Sequence, residues 1–162
     1  AHTMRLKGKK AIFNYDDTFS LDSVLSPIIG AGLIKFLEVL KSRRADPSDS
    51  FFGIPSGFVE QVDDEDETDS NYDVRFNEGT DKWFGVIESM IYAFTAAEPE
   101  LGDGVLEMIS PSVADDRGLY PVEIVIHDQT AYDKHERERE EHERKVKDGL
   151  NLFSEHYNNL WW

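Results

Sequence analysis

The 162-residue chain offers five histidines, 33 acidic side chains and no cysteine as raw material for chemistry. His135 and His142 stand seven residues apart, with Glu138 and Glu141 nearby. On a helix, seven residues keep two imidazoles on one face but separate them by about 10 Å along the axis. One metal ion needs ligands at i and i+4, or a third group from another element. The pair therefore reads as part of a solvated face, and no metal ligand is assigned. Asp63-Asp64-Glu65-Asp66-Glu67 has the charge of a calcium loop, but it lacks the alternating spacing, the central Gly and the distal Glu. His127-Asp128 follows an apolar run, and Ser110 and Ser112 lie upstream. A histidine at a strand end can act as a general base toward a facing nucleophile. No G-x-S-x-G elbow accompanies it, however, so a structural hydrogen bond is the expected role, as it is for His156. The P-loop, G-x-G-x-x-G and H-E-x-x-H patterns are absent. No catalytic residue and no cofactor is assigned, and a non-enzymatic binding role is expected.

The elements that would position these groups are mostly helical. Leu21, Val24, Leu25, Ile28 and Ile29, then Leu33, Phe36, Leu37 and Leu40, recur at helical spacing. Pro27 after Ser26 suggests a break: a short helix over 21–25 and a main helix over 27–43, with Gly30 and Gly32 admitting a close neighbour. Thr80 is the expected N-cap of a second helix over 81–97. Its apolar stripe is Trp83, Val86, Ile87, Met90, Ile91 and Phe94. A third helix is expected over 131–160, capped by Thr130 with Asp133. Its first half, 133–145, mixes acids and bases with no apolar side chain and should project into solvent, held by i,i+4 pairs. Its second half carries Val146, Leu150, Phe153, Tyr157 and Leu160 in a 4-3-4-3 seam, with Gly149 allowing close approach. That seam would serve a homodimer as readily as an intramolecular core. Ala11-Ile12-Phe13, Val105–Ile109 and Val122–Ile126 are the strand candidates, the last expected to be partly buried. The expected fold class is α+β, mainly α: three principal helices with a small two- or three-stranded antiparallel sheet.

At this length one domain is expected over residues 5–162. Ala1-His2-Thr3 ahead of Met4 reads as an expression scar. Residues 62–73 form an acidic run expected to be a mobile loop. The absence of cysteine excludes disulfides and thiolate metal sites. No signal peptide is visible, and no apolar run reaches the roughly 18 residues of a membrane span, so a cytoplasmic location without a membrane partner is expected. The net charge of −16 opposes direct binding of nucleic acid or anionic lipid and favours a partner with a basic face.

Three blocks carry a resemblance. The first is Asp17-Thr18-Phe19-Ser20-Leu21-Asp22 ahead of the helix over Leu25–Leu40. The second is Trp83, Ile87, Met90, Ile91, Ala93 and Phe94. The third is Gly149, Leu150, Leu152, Phe153, Tyr157, Leu160 and Trp161. Together they cover about half of the chain and resemble a family of small proteins encoded by tailed bacteriophages. This chain departs from that pattern in having Phe19 where Trp is usual and Trp162 where Asp often follows. The family brings no established reaction and no catalytic residues to carry over. The resemblance implies an accessory protein acting in the cytoplasm of an infected host. The expectation is a protein that binds a host protein, as an inhibitor of a defence or nucleic-acid enzyme. Its candidate contacts are Asp63, Asp64, Glu65, Asp66, Glu67 and the terminal Trp161 and Trp162. Two alternatives stand beside it. One is a small-molecule, nucleotide-like binder or minor enzyme, with a pocket ringed by Arg75, Arg117 or His127. The other is a structural component of the virion.

Overall fold

The structure, a computed structural model, describes residues 5–7, 10–12, 21–46, 48–49, 54–60 and 68–160. The fold is α+β and mainly helical. Two short strands, β1 (Arg5–Lys7) and β2 (Lys10–Ile12), pair antiparallel. Helices α1 (Leu21–Ala45) and α2 (Asp69–Thr95) follow. Then come β3 (Leu106–Ile109) and β4 (Glu123–Ile126), also antiparallel, and helix α3 (Gln129–His156). The chain divides into two compact units. The first comprises residues 1–96 and 145–162, the second residues 97–144.

The core of the first unit comes from three helical stripes. Leu33, Leu37 and Leu40 of α1 meet Trp83, Phe84, Ile87 and Met90 of α2, and all seven are buried. Leu152 and Phe153 of α3, and Leu160 beyond it, close the cluster. Burying each such side chain is worth roughly 1.5–3 kcal/mol, which makes this stripe the main source of stability in the unit. Helices α1 and α2 run antiparallel: Gly30 lies against Phe94 and Thr95, Lys41 bonds Glu88, and Arg44 bonds Asp81. The end of α3 also runs antiparallel to α2, with Gly149 against Ser89 and Ala93, and His156 edge-on to Trp83 at 5.5 Å.

Several boundaries differ from the sequence reading, each for a local reason. α1 is one helix through Pro27. The apolar spacing continues on both sides of the proline, so packing outweighs one missing backbone donor. The unbroken helix is also long and apolar enough, by length and composition alone, to cross a membrane, contrary to the expectation that no segment would be. Gly30 does admit a close neighbour, whereas a Cβ at Gly32 would meet nothing within 4 Å. α2 begins twelve residues before its expected start, because Thr68 rather than Thr80 is the N-cap and accepts from Asn71 N–H at 3.1 Å. Thr80 is instead interior and fully buried, its hydroxyl donating to Phe76 O at 2.8 Å. Gly79 beside it lets the backbone of a 3-10 turn, Ser56–Phe58, lie on the helix; a Cβ there would sit 2.5 Å from Phe58 O. The early start also places 69–73, part of the run read as a mobile loop, in the first turns of α2. The rest of that loop, apart from Thr68, lies outside the described residues.

α3 is capped by Asp128, which accepts from Ala131 N–H at 2.9 Å, and not by Thr130. The i,i+4 pairs expected on its polar half are present as Arg139–Glu143 and Lys134–Glu138, and i,i+3 pairs join them, Arg139 with Glu136 and Arg144 with Glu141. That half is not uniformly solvated, however. Tyr132, His135 and Arg139 are half-buried and His142 is only 8% exposed. The inward stripe continues through Val146, Gly149, Phe153 and His156, in alternating steps of three and four. Leu150 and Tyr157, placed in the seam from sequence, are exposed. The seam is therefore rotated toward Gly149, because the absence of a side chain there lets α3 settle on α2.

Candidate functional site

The second unit carries the most unusual surface. β3 reads Leu-Glu-Met-Ile and β4 reads Glu-Ile-Val-Ile; the β-branched Ile and Val of β4 favour an extended backbone, and β3, with Ile109 alone of that type, is held extended by pairing with it. The register sets Leu106 opposite Ile126 and Met108 opposite Ile124. Side chains alternate faces along a strand, so these four lie on one face and Glu107, Ile109, Glu123 and Val125 on the other. A sheet face this apolar ordinarily packs against another layer. Here Met108 is 69% and Ile124 is 60% exposed. Val122, expected to be partly buried with Ile124, is exposed as well.

The loop between the strands exposes apolar side chains as well. Val113, Leu119 and Tyr120 are all exposed. Fourteen large apolar side chains are exposed among the described residues, and seven of them fall between 108 and 124. Exposed apolar residues are common when scattered; here half of them are concentrated on one segment.

The loop is held in shape by Asp115. Its Oδ1 accepts from the N–H groups of Arg117 and Leu119, both at 2.9 Å. Its backbone N–H donates to Leu119 O at 2.7 Å, and its own carbonyl accepts from Gly118 N–H at 2.9 Å. Gly118 adopts φ +75°, a conformation that favours glycine. The Leu119 N–H bond, with those from Arg117, holds the Asp115 carboxyl below its ordinary range, against the opposing effect of partial burial. The apolar tip Leu119-Tyr120 is thereby presented on a preformed turn.

The electrical setting is one-sided. Segment 97–128 contains eight acids, Glu98, Glu100, Asp103, Glu107, Asp115, Asp116, Glu123 and Asp128, against a single Arg or Lys. That one, Arg117, is bonded to Asp115. An apolar face in such a field suits a cationic macromolecule with apolar side chains of its own.

The residues singled out from sequence fall elsewhere. Asp63, Asp64, Glu65, Asp66, Glu67, Trp161 and Trp162 lie outside the described residues. His127 Nε2 bonds Glu107 Oε2 at 2.9 Å, across the β3–β4 pair. Its backbone N–H bonds Val105 O, whereas Ser110 stands five residues further along the ladder, roughly 17 Å away at 3.4 Å per residue. His127 and Ser110 are thus not a base and nucleophile pair. His156 rests among rings, 5.4 Å from Phe58 and 5.5 Å from Trp83, and its Nδ1 is 3.3 Å from Asn159 Nδ2. Among the described residues, no group of three or more His, Asp or Glu side chains could hold a metal.

Arg75, Arg117 and His127, any of which was expected to ring a ligand pocket, line neither of two grooves found among the described residues of the first unit. Arg75 donates to Glu60 O at 3.0 Å. One groove, about 610 Å³, is lined by Lys41, Arg44, Asp81, Phe84, Gly85 and Glu88. Its two cations are already paired, Lys41 with Glu88 at 2.9 Å and Arg44 with Asp81 at 2.6 Å. The other, about 760 Å³, lies between the 3-10 turn and the end of α3 and carries His156, Asn159 and Ser56 but no Lys or Arg. A phosphate would therefore find its cations neutralised in one groove and none in the other.

Met108, Val113, Leu119 and Tyr120 were not singled out from sequence. The signal available was the density of apolar residues around the two strand candidates, in a segment with one basic side chain. No protein-family model, curated protein or solved structure matches this chain.

Proposed function

We propose that this chain is a non-enzymatic binding protein that engages a cationic partner protein through the β3–β4 face and the Asp115-held loop. The observation that carries the reading is the concentration of exposed apolar side chains, Met108 and Ile124 foremost, within a strongly acidic segment. Set beside the resemblance to tailed-phage proteins, the partner is a host protein, and the role is inhibition of a defence or nucleic-acid enzyme. Enzymes that handle nucleic acid present basic surfaces to the phosphate backbone, the chemistry to which this segment is complementary.

Affinity capture from host lysate tests this, with wild type compared against a Met108→Ser/Ile124→Ser double variant. Both side chains are exposed, so folding should survive the change. The expected result is one stoichiometric basic protein retained by wild type, released by raised salt, and lost from the variant. Equal capture by wild type and variant would refute the assignment of the interface to this face.

A further inference from the structure

The β3–β4 pair is an incomplete sheet. Among the described residues neither strand has a second neighbour. Two strands alone are marginal in water, and a third strand or a covering layer normally completes them. His127 N–H donates to Val105 O, which makes 105 and 127 a bonded pair. Antiparallel ladders alternate bonded and non-bonded pairs, so 107:125 and 109:123 hold the ladder. The backbone N–H and C=O of Leu106, Met108, Ile124 and Ile126 then point outward, and no backbone bond joins these four to another described segment.

Exposed sheet edges are ordinarily blunted by shortness, charged side chains, Pro or a bulge, and these strands are short with one Glu each. Neither strand contains Lys or Pro, and the register is continuous from Leu106↔Ile126 to Ile109↔Glu123. Pro111 and Pro121 lie just beyond the strands, which limits added pairing to about one short strand.

Resting on the interface reading above, we infer that the partner contributes an extended segment that adds to this sheet as a third strand, with Lys or Arg alternating with apolar side chains. The alternation follows from the two faces. Beside β3, partner side chains on one face would lie next to Leu106 and Met108 and those on the other next to Glu107 and Ile109; beside β4 they would lie next to Ile124 and Ile126, and next to Glu123 and Val125. A second copy of this chain fits poorly, because its own segment 97–128 brings eight acids to face eight acids.

The test uses the full chain and a blocked synthetic peptide, Lys-Val-Lys-Val-Lys-Val, beside its fully N-methylated form. N-methylation keeps the charge and the apolar surface but removes every ladder donor. The expected outcome is salt-sensitive binding of the unmodified peptide, at least about tenfold weaker binding of the methylated one, and new exchange protection of outward amides of one strand. Equal binding of both peptides without new amide protection would overturn strand addition while leaving a side-chain interface intact. Binding of neither peptide, with a captured partner still lost in the Met108→Ser/Ile124→Ser variant, would also overturn strand addition alone. Binding of neither peptide, together with capture insensitive to that variant, would overturn the interface reading as well.

Discussion

Replacing Gly149 by alanine should separate helix propensity from helix packing. In a helix interior, alanine is favoured over glycine by about 1 kcal/mol. At 149, however, a Cβ would run into the Ser89 carbonyl oxygen and sit 2.7 Å from Ala93 Cβ. Ser89 O is backbone within α2, so it cannot step aside as a side-chain end can. Overpacking of this kind costs roughly 1–3 kcal/mol, and a backbone obstacle places it at the upper end. The net expectation is a loss of about 2 kcal/mol, or roughly 4–8 °C in Tm for a chain of this size. Gly32→Ala is the matched control. It changes the same residue type inside a helix, but its Cβ would meet nothing within 4 Å. It should therefore gain about 1 kcal/mol. Urea denaturation followed by circular dichroism reads both changes. If Gly149→Ala proved as stable as wild type, the close approach of α3 to α2 at this residue would be refuted.

Trp83 is fully buried at the centre of the core, and Trp83→Ala should cost about 3–5 kcal/mol in the same denaturation assay; a loss below 1 kcal/mol would contradict its central place. Thr68→Ala removes the cap of α2 and should cost about 1 kcal/mol, whereas Thr130→Ala should change little, because Asp128 caps α3. Asp115 has a depressed pKa in the folded chain, so its contribution is complete above its ordinary value near 3.8 and is lost as pH falls through the lower folded value. Amide exchange at Arg117 and Leu119, corrected for the intrinsic pH dependence, should rise only in that acid window. Asp115→Asn should raise it at neutral pH.

The helical stripes were legible because their periodicity reports directly which face is buried. Leu33, Leu37 and Leu40, and Trp83, Ile87 and Met90, lie where their spacing put them. Gly149 was legible for a related reason: a glycine inside a strong helical pattern needs a packing explanation. The start of α2 was not legible, because Gly79-Thr80 looks like a helix boundary in sequence. Only the arrival of Phe58 O over Gly79 explains why a poor helix former sits there. The α3 seam was misplaced by one helical position, since Leu150 is more apolar than Gly149 yet the glycine permits the contact. His135 and His142 sit on a covered stripe that charge patterning alone marks as solvated. The candidate interface was the least legible part. Its strands were recognised, but alternation says which residues share a face, and not whether anything covers that face. The exposure of Met108 and Ile124 is a tertiary fact.

Site-specific photo-crosslinking in host lysate is the most direct measurement of where the partner sits. A photoreactive phenylalanine analogue would replace Ile124 or Met108 in the second unit, and Ile28 or Tyr157 in the first, all four positions being exposed. The expected result is one adduct to a basic protein from 124 and 108 and none from 28 and 157. Adducts confined to 28 or 157, or none from the β3–β4 positions while a partner is demonstrably bound, would contradict an interface on that sheet.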